Sequence, residues 1–149
     1  MDERSRLLLE VAAILHDIGI FIRLDEHNLH SEYIIHHSEI FGLTHAEREI
    51  VAQIARFHRG KRQPQDMESF QILARSDRMR ILKLTAIVRI ADAMDRSHGQ
   101  SLRDLSIQLK NESLVMRIKN SKNVAFERIA LSEKSDLFES VFGYKVILL

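Results

Sequence analysis

The hydrophobic period of this chain changes once, and the change divides it. Up to Arg96 the apolar residues recur three and four apart, as one buried helix face requires. Ser97-His98-Gly99-Gln100-Ser101 then interrupts the pattern. Beyond it Leu105-Ser106-Ile107-Gln108-Leu109 alternates strictly and Leu114-Val115-Met116-Arg117-Ile118 nearly so, as half-buried strands do. The expected fold is α+β: a mainly α-helical bundle over residues 1–99, followed by a small β-β-α-β unit over residues 100–149 packed on it.

Within the bundle, a first helix is expected from Glu3 to His16, with Leu7, Leu8, Val11, Ile14 and Leu15 as its stripe and Gly19 as its stop. A loop through Asp25-Glu26-His27-Asn28 leads to a second helix over Ser31–Ser38, with Tyr33, Ile34 and Ile35 apolar. Thr44 and Glu47 have capping-box spacing and open a third, whose buried face is Ile50, Val51, Ile54 and Phe57. A short segment near Glu68–Ala74 precedes a helix capped by Asp77 and running to Arg96, with Ile81, Leu84, Ile87, Val88 and Ala91 turned inward. In the second part Lys110-Asn111-Glu112-Ser113 joins two strands as a hairpin. Val124–Phe142 reads as one helix with Phe126, Ala130, Leu137 and Val141 on one side, and Tyr144–Leu149 as a third strand.

His16-Asp17-Ile18-Gly19 ends the apolar first helix. An imidazole and a carboxylate buried there without partners are costly, so a metal or a hydrogen-bond network must satisfy them. The chain has no cysteine, which excludes disulfides, thiolate ligands and a cysteine nucleophile. Its eight histidines all fall between His16 and His98. His16, Asp17, His30, His58 and Asp92 each lie near a helix end or on an inward stripe. Nitrogen and carboxylate oxygen suit manganese, iron, zinc, nickel or magnesium. The competing readings are a hydrogen-bonded structural pair for His16 and Asp17, an ion pair with an arginine for Asp92, a helix-end interaction for His58, and a loop or cap for His30. His27 reads as a loop-shaping residue, His36, His37 and His45 as solvated, and His98 as part of the boundary turn.

Net charge is only +1, yet Arg56–Arg103 holds 11 Lys+Arg against 5 Asp+Glu. Such a local field holds anions. Arg59, Lys61, Arg62 and Arg96 are the expected phosphate-binding residues, since the guanidinium fork matches phosphate geometry. Aromatics are few and not interleaved with the charges, which argues against nucleic acid. No apolar run reaches the roughly 18 to 20 residues of a membrane helix, and the charged start is unlike a signal peptide. The expected location is cytoplasmic.

His16-Asp17-Ile18-Gly19 followed by Ile90-Ala91-Asp92 resembles the HD superfamily of metal-dependent phosphohydrolases, with Ile20 where that family usually has lysine. His30-Ser31 and His58 resemble the extra metal histidines of its multi-metal members, such as the HD-GYP phosphodiesterases. A narrower resemblance covers essentially the whole chain. Leu8 to Gly19, His27-Asn28-Leu29-His30-Ser31, Ala55-Arg56-Phe57-His58-Arg59, Arg89 to His98 and Leu137 to Gly143 are similar to the C-terminal region of the exopolyphosphatase / guanosine pentaphosphate phosphatase family. That resemblance implies two things. The family's polyphosphate-cleaving site belongs to an actin-like N-terminal domain, which these residues do not include. HD enzymes also take a histidine from a helix before the one ending in the pair, and this chain starts on the later helix. An apolar groove left there favours dimerisation.

Two readings follow. In the first, a metal-dependent phosphohydrolase acts on a phosphate ester or anhydride; His16, Asp17, His30, His58 and Asp92 hold a divalent metal ion and Asp17 is essential to catalysis. In the second, a non-catalytic accessory module binds polyphosphate or a nucleotide. It assembles as a homodimer or with an actin-like-fold partner subunit.

Overall fold

The computed structural model describes residues 1–96, 105–118 and 124–149. They form two compact units, 1–88 and 89–149. The boundary expected after residue 99, and His98 with it, lies outside the described residues.

The first unit contains α1 (Glu3–Leu15), α2 (His27–His37), α3 (His45–Phe57), α4 (Glu68–Gln71) and most of α5 (Arg75–Met94), with 3-10 turns at Ile18–Phe21 and Pro64–Asp66. Asp2 caps α1, its Oδ1 accepting from Ser5 N at 2.7 Å. Thr44 and Glu47 close the expected capping box on α3. The second half of α3 is buried on nearly every side, and the helix packs against both α1 and α2. Leu8, Ala12, Ile35, Val51, Ile54, Ile81 and Leu84 form the core around it. Each large side chain so buried contributes about 1.5–3 kcal/mol.

Several details depart from the sequence reading: Leu7 and Ala91, expected on buried faces, are exposed. Ile14 is 78% exposed, because it lies two residues from Ala12 and so nearly opposite the buried Leu8–Ala12 face. Asp77 sits inside the first turn of α5, which begins at Arg75. α2 begins at His27 rather than Ser31. Glu26 adopts a left-handed conformation (φ 53°, ψ 26°) and its carbonyl accepts from Leu29 N and His30 N at 2.9 and 3.3 Å, starting the helix before its apolar residues. Asn28 then donates to the Arg56 carbonyl at 2.8 Å, tying the start of α2 to the end of α3.

The second unit is a three-stranded sheet, β1 (Leu105–Lys110), β2 (Ser113–Ile118) and β3 (Lys145–Leu148), in the order β1-β2-β3. β1 and β2 are antiparallel, with Leu105 opposite Ile118 and Lys110 opposite Ser113. Asn111 and Glu112 turn the hairpin with φ of 47° and 57°, the two positive values a type I′ turn needs. β3 runs parallel to β2, which demands a crossover. That crossover is two helices, α6 (Ala125–Lys134) and α7 (Asp136–Phe142), not the single one expected. They part at Ser135, whose hydroxyl donates to Glu139 Oε1 at 3.2 Å. The buried face of α6 is Glu127, Ala130 and Leu131, and Phe126, in its first turn, lies outside at 66% exposed. Met116, Leu131 and Leu148 pack with Ile90, Ala93 and Met94. Gly143 ends α7 at φ 74°, a conformation that costs glycine little. Among the described residues, no helix is long and apolar enough to cross a membrane.

Candidate metal centre

The ends of α1 and α3 and the start of α2 bring three imidazoles to one carboxylate. His16 closes α1 and His58 closes α3. Their Nδ1 atoms lie 2.8 Å from the Ala13 carbonyl and 2.6 Å from the Ala55 carbonyl. His27 does the same at the start of α2, with Nδ1 2.8 Å from the Leu24 carbonyl. A carbonyl only accepts, so each Nδ1 carries a proton, and each Nε2 is left to offer a lone pair to a cation or, when protonated, to donate to a carboxylate. Those lone pairs converge. His27 Nε2 and His58 Nε2 lie 3.0 and 3.4 Å from Asp17 Oδ1, and His16 Nε2 lies 3.6 Å from Asp17 Oδ2. His27 Nε2 and His58 Nε2 are 3.3 Å apart. The rings of His27 and His58 are 5% and 1% exposed.

Gly19 makes this convergence possible. Its amide donates to Ser31 Oγ at 2.9 Å. A Cβ there would stand 2.1 Å from the His27 carbonyl oxygen and 2.4 Å from Ser31 N. Only glycine lets the chain after Asp17 press on the first turn of α2.

The donor set fits a cation. Asp17 Oδ1 is buried and, while the facing imidazoles are neutral, accepts no hydrogen bond among the described residues. Lone pairs and a carboxylate facing one another need a proton or a metal between them, and each ring is already oriented by a carbonyl, as ligating histidines are. Ligand atoms of His16, Asp17 and His58 all lie within 4.8 Å of one another. In the metal-free protein a hydrogen bond from His58 first, and then the charges of protonated His16, His58 and His27, hold the Asp17 carboxyl down to about 2 against the opposing effect of burial. Burial pushes the His58 imidazole down, which keeps it neutral and available.

The sign of the pH effect follows. The folded value of Asp17 lies below its ordinary 3.8, so its stabilisation is full above that pH and is lost as pH falls towards 2. In metal-free protein the difference in urea midpoint between wild type and Asp17→Asn is expected to shrink from pH 4 to pH 2. A difference constant over that window overturns the histidine contacts. His58 is shifted down from 6.5. Below that pH the unfolded chain takes up this proton first, and the fold weakens as pH falls.

Beside the cluster opens a cleft of about 410 Å³, lined by Glu26, Asn28, Leu29, Arg56, Phe57, Arg59, Gly60, Lys61 and Arg62. It gathers three of the four expected phosphate-binding residues. Arg56 pairs with Glu32 and lies over the Phe57 ring. Arg96 belongs to the second unit and is exposed. Of the remaining expected ligands, the His30 side chain makes no polar contact among the described residues; its Cβ lies where a side chain on Gly19 would go. Asp92, in the second unit, pairs with Lys134, beside Arg89 and Asp136 at 3.2 Å. His36, His37 and His45 are exposed, with His36 Nδ1 2.7 Å from Glu49 Oε2. His27 is the site residue that sequence reasoning placed in a loop. Its signal was the early start of α2, hidden because no apolar residue marks that turn.

A helical domain with a histidine–aspartate cluster at converging helix ends, followed by a small sheet, is thus the class of protein the chain represents. The family model for Ppx/GppA phosphatase, domain III, matches residues 1–139, and the chain belongs to that family. It is similar to a guanosine-5'-triphosphate,3'-diphosphate pyrophosphatase of Pseudoalteromonas translucida, 26% identical over 147 residues that make up 95% of this chain and 28% of the relative. The same-named protein of Photobacterium profundum is 25% identical over 118 residues, 79% of this chain and 23% of the relative. That of Vibrio vulnificus is 34% identical over 58 residues, 39% and 12% of the two chains. The chain thus spans no more than 28% of the length of these relatives.

Proposed function

We propose that this chain is a metal-dependent, HD-type phosphohydrolase domain acting on a phosphate ester or anhydride. The observation that carries the reading is the convergence of three Nε2 atoms on the Asp17 carboxylate, those of His27 and His58 on its buried Oδ1 and that of His16 on Oδ2. His16, Asp17, His27 and His58 hold a divalent ion. An imidazole-rich set suits zinc, iron, manganese or nickel better than magnesium, which prefers oxygen. Such an ion supplies Lewis acidity and lowers the pKa of water. Arg59, Lys61 and Arg62 orient the phosphate and offset the negative charge that grows as the bond to the leaving group breaks.

A second reading is favoured by the length of the relatives, of which this chain covers about a quarter. In it the chain is an accessory module that binds polyphosphate or a nucleotide without turning it over. Elemental analysis of protein purified without chelator, followed by turnover of ester and anhydride substrates, separates the two. The enzyme reading expects a near-stoichiometric transition metal and turnover that Asp17→Ala abolishes. No metal after incubation with zinc, manganese, iron and nickel sinks it. The module reading expects salt-sensitive polyanion binding that survives Asp17→Ala and falls when Arg59 and Lys61 are neutralised.

A further inference from the structure

The cleft beside the cluster contains an acid as well as cations. Glu26 lines it together with Arg59, Lys61 and Arg62. Among the described residues Glu26 forms no ion pair, and neither do Lys61 and Arg62. Among the described residues Arg59 meets only His27 Nδ1, at 3.2 Å. That nitrogen already donates to Leu24, so the contact gives the guanidinium no acceptor. One acidic and three basic residues thus line the same cleft with no ion pair between them among the described residues. Glu26 also occupies a left-handed backbone position (φ 53°) that glycine or asparagine would fill more easily. At about 410 Å³ the cleft is within the range of small-molecule sites, and Leu29 and Phe57 contribute to its lining.

We propose that this cleft takes an organic phosphate, one whose carbon skeleton carries hydroxyl donors such as a ribose phosphate, and that Glu26 selects it over an all-phosphate chain. The inference rests on the phosphate-site reading above and specifies its substrate class. Arg59, Lys61 and Arg62 receive the phosphate, whose negative charge a carboxylate repels. Glu26 accepts from the carbon-bound hydroxyls, which a polyphosphate lacks. A second or third phosphate placed towards Glu26 would bring like charges together, and that disfavours the longer anion.

The test is calorimetric titration of the full chain, metal-free and zinc-loaded, with ribose 5-phosphate, inorganic phosphate, pyrophosphate and tripolyphosphate. In wild type, ribose 5-phosphate is expected to bind about tenfold or more tighter than inorganic phosphate and than tripolyphosphate, the scale of charged hydrogen bonds. Glu26→Gln, which keeps the size of the side chain, is expected to erase that ratio and to raise tripolyphosphate affinity. Glu26→Gly, which also relieves the backbone, checks that the change comes from the carboxylate. Arg59→Ala is expected to weaken all four ligands alike. Tripolyphosphate binding as tightly as ribose 5-phosphate in wild type, or a ratio unmoved by Glu26→Gln, overturns the inference and leaves the phosphate site standing. Failure of all four to bind, with and without zinc, overturns both.

Discussion

Gly19→Ala is expected to dismantle the site and to cost at least about 3 kcal/mol of stability, the upper end of what overpacking does. The methyl group would meet backbone on α2, not the end of a flexible side chain, at 2.1 Å from the His27 oxygen and 2.4 Å from Ser31 N. Neither atom can yield without moving the turn that carries His27. Ser31→Ala provides the comparison. It leaves the Gly19 amide buried without its acceptor, a loss of about 1–3 kcal/mol with the backbone still in place. Urea denaturation should therefore rank Gly19→Ala well below Ser31→Ala, and only the glycine variant should lose metal completely. Equal midpoints would mean that the approach of the two segments is looser than the structure has it.

His27→Ala is expected to lower metal affinity by about 100-fold or more, the upper end of what even outer-sphere partners cost. His30→Ala is expected to change it by less than about threefold, well under 1.4 kcal/mol. The contrast rests on geometry alone. His27 Nε2 is 3.0 Å from Asp17 Oδ1, while the His30 side chain, one turn along, makes no polar contact among the described residues. Competition with a chromophoric chelator measures both. In the metal-binding reading proposed above the ion binds the folded chain, so an ion at 100 times its Kd should also raise wild-type stability by about 2.7 kcal/mol, and His27→Ala should forfeit most of that. A His30→Ala loss equal to that of His27→Ala would overturn the placement of α2.

Features that lie within a few residues of sequence were legible before the structure. The capping box of Thr44 and Glu47, the hairpin at Asn111-Glu112, the stop at Gly143 and the change of period after Arg96 each declare themselves locally. Asp17, His16 and His58 were legible for the same reason, as polar groups at the ends of apolar helices. What failed depends on phase or on distance along the chain. Ile14 is as apolar as the stripe beside it, but its angle on α1 puts it outside. A serine at 135 splits a helix that hydrophobicity alone leaves whole. The pairing of Asp92 with Lys134 joins groups 42 residues apart, and no local pattern announces it. His27 was missed because helix α2 is initiated by a left-handed Glu26, a backbone event without a hydrophobic signature.

The carbonyls that aim the three imidazoles share one address. His16 uses Ala13, His27 uses Leu24 and His58 uses Ala55, each three residues back along its own segment. Among the described residues it is backbone that points each ring, so a substitution elsewhere disturbs the aim by displacing that backbone, as Gly19→Ala does. The aim is vulnerable also to fraying. Each ring is released when its own helix end opens, an event that amide hydrogen exchange at those ends would time. Escape of a bound ion would then keep pace with the flicker of single turns, long before the domain as a whole unfolds.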